Sequence, residues 1–138
     1  MAELPTSFHL TVVTRERKIV ETDAVELVLP AFDGEIGVLP GHTPLLALLK
    51  VGVMRYRENG AAQSLVISWG FAEILPDRVI VMAETARLPQ EMDAATAESE
   101  RAKLERELAE LSSHDPQFAI VEGKLEESVA MINLHRGM

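Results

Sequence analysis

Between Phe8 and Ala83 apolar side chains recur at every second position or in short unbroken runs of Val, Ile and Leu. A turn signal interrupts them about every eight to ten residues, the spacing of short strands. The pieces are FHLTVVTRE, KIVETDAVELVLP, GEIGVLPG, LLALLKVGVMRYRE, SLVISWGFAEILP and RVIVMAE. Asn59-Gly60 between VMRYRE and SLVIS is a strong hairpin signal, and Asp33-Gly34, Pro40-Gly41 and Pro76-Asp77 mark further turns. Glu35 to Leu39 reads as a short strand between two of them. The pattern predicts an antiparallel β-sandwich or flattened barrel of roughly eight to ten strands.

After Pro89 the period changes from 2 to 3.6. Ala97, Leu104, Leu108 and Leu111 form one apolar stripe, and Phe118, Val121, Leu125, Val129 and Ile132 form another. Between them SSHDPQ breaks the helix, with Asp115 as N-cap and Pro116 at the first helical position of the next. A connection this short makes the two helices antiparallel neighbours with facing stripes. The predicted class is therefore α+β: a sandwich over residues 1–88, then an antiparallel two-helix hairpin over 89–138. Each buried Leu, Val or Ile of the hairpin contributes roughly 1.5 to 3 kcal/mol before ordering entropy is subtracted. So small a unit is marginal alone, able to dock, undock or extend.

At 138 residues and 47% apolar content the chain holds one real core and one satellite element, and is not generally disordered. Its longest uncharged apolar run, around PLLALL, falls far below the roughly 20 residues that span a bilayer. MAELPTSFHL lacks the basic cluster and long apolar stretch of a secretory signal. With no cysteine there is neither a disulfide scaffold nor thiol chemistry, and a soluble, cytosolic protein is expected. The net charge of -9 argues against nucleic acid, which needs clustered lysine and arginine. Residues 89–138 hold eleven acids against five bases, so the tail carries most of that charge.

Candidate chemistry is sparse. GEIGVLPGHTPLL looks like a phosphate loop, but Gly37 and Gly41 stand one residue too close, and His42 replaces the lysine. Pro44 disfavours a helix at Thr43. His9, His42, His114 and His135 lack paired ligand spacing, so no metal site is expected. Ser7, Ser64 and Ser68 lie in predicted strands with no base and orienting group in evidence, so no catalytic residue is expected. Trp69 and Tyr56 read as packing aromatics. Nothing calls for a cofactor.

One co-linear likeness runs through the whole chain. DGEIGVLPGHTPLLALLKVGVMR resembles the G-[ED]-x-G-x-x-P-G-H-x-P-L segment and following L-K-x-G of the epsilon subunits of F-type ATP synthases. GFAEILPDRVIVMAETA resembles that family's final sandwich hairpin, and the helical hairpin follows directly. The resemblance implies a non-catalytic part of the central rotor, whose sandwich binds the gamma subunit and sits on the c ring. Its helical arm folds against the sandwich or extends toward the alpha and beta subunits, restraining ATP hydrolysis. It implies Glu35 and His42 as interface residues, and the Leu104, Leu108, Leu111, Val121, Leu125, Val129 and Ile132 stripe as the arm's apolar surface. It also implies a place at the cytoplasmic face of the inner (plasma) membrane, with membrane contact only through the complex.

Arg101, Lys103 and Arg106 are the basic residues of the arm's first helix, each with a glutamate four positions on: Glu105, Glu107 and Glu110. Some bacterial members bind ATP through [IL]-D-x-x-R-A at the first helix. Here MDAATA keeps Asp93 and Ala97 but has Thr96 at the arginine position, and Val129 and Asn133 stand where the second helix would supply arginines. Arg101, five residues beyond Thr96, faces roughly the opposite side. Weak or absent ATP binding is expected. The alternative reading is a free-standing β-sandwich module with a helical interaction arm.

Overall fold

The computed structural model describes residues 4–137. Eight strands precede the helices: β1 (Phe8–Val13), β2 (Lys18–Ala24), β3 (Glu26–Ala31), β4 (Gly34–Val38), β5 (Leu45–Leu49), β6 (Gly52–Glu58), β7 (Ala61–Leu75) and β8 (Arg78–Arg87). Two predicted segments each yield two strands: KIVETDAVELVLP divides at Val25, and LLALLKVGVMRYRE divides at Lys50 and Val51. The sheet runs β2-β1-β8-β7-β5-β3-β4, with β6 pairing β3 and β7. Every pairing is antiparallel except β1 with β8, which is parallel. That exception joins the first strand to the last, across the whole sandwich. No local turn signal could announce it.

The 15-residue β7 organises the rest. Its first half pairs with β6 from Ala61↔Glu58 to Ile67↔Gly52, and its second half with β5 from Gly70↔Leu49 to Ile74↔Leu45. β8 follows it on the other side through both halves. Between the halves the chain turns a corner at Trp69 and Gly70, whose φ values are 45° and 133°. At Gly70 the requirement is steric as well, because a Cβ there would stand 2.0 Å from the Met82 carbonyl oxygen.

Alternation fills the interior. Phe8, Leu10 and Val12 of β1, Leu27 and Leu29 of β3, Leu65 and Ile67 of β7, and Val79 and Val81 of β8 are buried in one cluster. All of that cluster, including the partly buried Ile19, Ile36, Tyr56 and Leu88 around it, comes from residues 8–88. The hairpin contributes nothing to it.

A single helical turn at Pro89–Glu91 leads into α1 (Ala94–Ala109) and α2 (Pro116–His135). Asp93 caps α1 by accepting from the Thr96 N–H at 2.7 Å. Asp115 caps α2 by accepting from Gln117 at 2.8 Å, with Pro116 first in the helix as its sequence required. The hairpin lies folded on the outer side of β6 and β7. Val66, Ala97, Ala130, Met131 and Ile132 form the buried contact, with Val53, Met92 and Leu134 around it.

The facing stripes hold at most positions. Ala97, Leu104, Val121 and Ile132 are buried, and Leu108, Leu111, Phe118 and Leu125 are partly so. Val129 is not: it is 38% exposed. α2 touches two neighbours rather than one, so its buried arc widens toward the sheet through Gly123, Ser128, Ala130 and Met131. Val129 falls at the edge of that arc, beside a groove between hairpin and sandwich.

Candidate functional site

Glu35 and His42 stand at opposite ends of the β4 segment and are not brought together. Glu35 is exposed, 3.7 Å from the Arg55 guanidinium, at the rim of a groove of about 800 Å³ between sandwich and hairpin. Val51, Val53, Leu125 and Val129 give that groove an apolar lining, with Glu122 and Glu126 along α2. Burial first, and then the neighbouring Glu122 charge, push the Glu126 carboxyl above its ordinary value of 4.5, against the pull of Lys50. His42 is half-buried, and its Nδ1 donates to the Thr43 carbonyl at 2.6 Å. Gly41, at φ 84°, donates its N–H to Pro76 at 2.7 Å, which ties this loop to the β7–β8 turn. The His42 N–H donates to the Leu39 carbonyl at 3.2 Å, so both of these loop donors are engaged by backbone carbonyls.

The more extensive surface feature is apolar. Leu46 and Leu48 on β5 are 64% and 62% exposed, and the register sets Leu48 beside Phe71 and Leu46 beside Glu73 on β7. Phe32 donates its backbone N–H to the Leu48 carbonyl at 3.0 Å and holds its ring 6.0 Å from that of Trp69. Leu46, Leu48 and Phe71 on neighbouring strands, with Phe32 in the β3–β4 turn and the part-exposed Trp69, thus form an apolar face. Contiguous exposed apolar faces are common at interaction sites. The run LLALL is the sequence signal: with no polar residue at the alternate positions, both sides of the strand are apolar, and only Ala47 and Leu49 find the core.

The hairpin is fastened to the sandwich by polar contacts as well. At its root Glu91 accepts from the Leu88 N–H at 2.8 Å and from Arg17 Nη2 at 2.9 and 2.7 Å. The Leu88 bond first, and Arg17 after it, hold the Glu91 carboxyl below its ordinary value. Farther along, the Ser68 and Thr85 hydroxyls are hydrogen-bonded, and Thr85 reaches the Glu127 carboxylate on α2 at 3.3 Å. Within the hairpin itself, His135 Nε2 donates to the Met92 carbonyl at 2.7 Å, and Arg136 meets Glu98 at 3.3 Å.

For a nucleotide the arm is poorly equipped. The Asp93 carboxylate is engaged as a cap, and the Thr96 backbone bond is the main reason its pKa lies below the ordinary value. Arg101 is drawn to Glu98 at 2.9 Å and to Glu105 at 2.7 Å. Of the three expected i,i+4 pairs only Arg101–Glu105 forms. Lys103 and Arg106 have no carboxylate within 4.0 Å among the described residues. No group of three or more metal-ligating side chains occurs among those residues.

The model of the ATP synthase delta/epsilon chain β-sandwich domain matches residues 7–89. The chain is 37% identical over 102 residues to the ATP synthase epsilon chain of Koribacter versatilis, covering 74% of this chain and 72% of that one. It is 34% identical over 125 residues to ATP synthase epsilon chain 2 of Syntrophotalea carbinolica, covering 91% of each. Its fold superposes with TM-score 0.81 and 22% identity on a chain of the Euglena gracilis mitochondrial ATP synthase, covering 99% of this chain and 84% of that one. A central-stalk and c-ring structure of the Tetrahymena thermophila mitochondrial enzyme matches with TM-score 0.62 and 10% identity, covering 99% and 100%.

Proposed function

The chain belongs to the ATP synthase epsilon-chain family, and from that premise we propose that it is a non-catalytic rotor subunit whose hairpin restrains ATP hydrolysis. Residues 1–88 are the binding unit, joining the gamma subunit to the c ring, with Glu35 and His42 among the contacting side chains. Residues 89–138 are the regulatory arm. It rests on the sandwich in one state and reaches the alpha and beta subunits in the other, where Arg101, Lys103, Arg106 and the leucine stripe meet them. The subunit lies at the cytoplasmic face of the inner (plasma) membrane and touches the membrane only through the complex.

The observation that carries this division is the separation of the cores. The sandwich cluster draws on residues 8–88 alone. The arm is held by a small apolar contact of five buried residues and by the exposed polar bonds of Thr85 to Glu127 and of Arg17 to Glu91. Lifting the arm exposes a limited apolar area and leaves the sandwich interior intact, so the two states lie within reach of each other.

The test is an assembled enzyme carrying the chain with residues 89–138 deleted. The truncated subunit is expected to copurify with gamma and the c ring at the full-length ratio, and the enzyme to hydrolyse ATP severalfold faster. An unchanged rate removes the inhibitory role. A folded truncation that fails to incorporate overturns the two-part division, and an intact chain that recovers neither gamma nor c ring favours a free-standing binding module.

A further inference from the structure

Trp69 is the chain's one tryptophan and has φ 45°, in the left-handed region that bulky side chains rarely adopt. A residue stays there where its surroundings over-determine it. Behind it, Gly70 is pressed against β8 at the Met82 carbonyl. On the open side stands Phe32, with its ring inclined at 42°. On the hairpin side the indole faces Gly123, buried midway along α2, where a Cβ would come within 3.6 Å of the indole Nε1. Glycine weakens a helix interior relative to alanine, so local propensity does not account for it. Alanine's methyl would meet the indole at ordinary contact distance. A longer side chain would need the volume the indole fills.

The neighbouring residue on β7 reinforces the same spot, because Ser68 connects through Thr85 to Glu127, four residues beyond Gly123 on α2. We propose that the Trp69 indole and the gap at Gly123 form a steric key that registers α2 on the sandwich and sets the share of molecules with the arm docked. The key deepens the reading above and rests on it only for its consequence: a chain with a spoiled key spends more time with its arm released, and so restrains hydrolysis more.

The full-length chain suffices to test the key. Gly123→Leu is expected to raise tryptic cleavage within the hairpin about tenfold, as a docked element that opens more often is cut more often. Trp69 emission should shift to the red and acrylamide quenching should increase. Helix content should hold, since leucine is the better helix former. Gly123→Ala is expected to match the wild type. Trp69→Gly combined with Gly123→Leu should return cleavage toward the wild-type rate, because glycine vacates the indole's space and accepts the positive φ.

Wild-type cleavage and quenching in Gly123→Leu overturn the key, as does a double variant as loose as the single. Should Gly123→Leu misfold, Trp69→Ala carries the test, with faster hairpin cleavage expected and an unchanged rate overturning the proposal. The assembled enzyme separates the two readings: a key that behaves as described in the free chain, with hydrolysis indifferent to Gly123→Leu, stands while the inhibitory role falls.

Discussion

His9 stands on the outer face of β1 with a carboxylate at each ring nitrogen, Asp23 at 3.1 Å from Nδ1 and Glu21 at 3.0 Å from Nε2. Lys18 shares Glu21 at 2.7 Å, and Arg78 occupies the cross-strand position on β8. The Glu21 bond first, then Asp23, raise the imidazole above its ordinary 6.5, while Lys18 first and His9 second lower Glu21 below 4.5. A raised histidine contributes stability that is complete below the unfolded value and is lost as pH rises through the folded one. A lowered glutamate contributes above its unfolded value and loses it as pH falls through the folded one. The β1–β2 edge is therefore held best between about 4.5 and 6.5. His9→Gln is expected to flatten the alkaline side of a melting-temperature profile measured from pH 5 to 9, with the fold unchanged; an identical slope in both proteins would contradict the assignment. The exposure of all three groups keeps the effect small. None of this was legible in the sequence, where His9 is one of four scattered histidines and its partners lie 12 and 14 residues away.

The nucleotide question also belongs to single residues. Asp93, the charged motif member that the chain retains, spends its carboxylate on the Thr96 N–H, and Thr96 brings no charge. Arg101, the nearest basic residue of α1, is held by two glutamates. Titration calorimetry of the intact chain with ATP and Mg²⁺ is expected to show no micromolar binding. A micromolar dissociation constant would mean that other side chains supply the phosphate contacts. The departures at Thr96, Val129 and Asn133 were readable in the sequence because absence of charge needs no coordinates. The capping role of Asp93 was not, since a cap and a ligand use the same residue type.

At the scale of elements, whatever depends on local order was readable and whatever depends on long-range pairing was not. Turn dipeptides marked the β6–β7 and β7–β8 connections, and the Asp-Pro pair placed the start of α2 at Pro116. Strand number was readable to within the expected range, but the divisions inside two segments were not: at Val25 no glycine or proline marks the break, and after Lys50-Val51 the single Gly52 is itself the first residue of β6. The parallel β1–β8 pair joins strands about seventy residues apart, beyond any short-range signal. α2 shows the limit of a one-stripe reading: a helix seated in the angle between a second helix and a sheet buries two adjoining arcs. Small residues such as Gly123, Ser128 and Ala130 on the second arc do not register as hydrophobic periodicity. The exposed outer side of β5 was not legible either: LLALL has no polar position to tell its two faces apart, and only Ala47 and Leu49 are buried.

For the molecule as a whole the distribution of charge decides how the arm meets its neighbours. The chain carries -9 in all, with eleven of its acids after Pro89. An arm so acidic is repelled by acidic partners, and long-range attraction does not drive its release. What the structure changes is the accounting of its bases. Arg101 is tied to Glu98 and Glu105 on its own helix, whereas Lys103 and Arg106 have no carboxylate within 4.0 Å among the described residues. A base already paired must give up that pair to reach a new partner, and an unpaired one gives up only water. On the proposed inhibitory reading, any electrostatic share from α1 therefore rests on Lys103 and Arg106. Lys103→Ala with Arg106→Ala is expected to speed hydrolysis by the assembled enzyme slightly at low salt and not at high salt, and Arg101→Ala less at either. Both should fall well short of the gain on deleting residues 89–138, because on the proposed reading burial of Leu104, Leu108 and Leu111 carries the contact. The competing outcome is distinct in the same three rates: a double variant that matches the deletion at low salt, and loses its effect when salt is raised, would make the arm an electrostatic clamp.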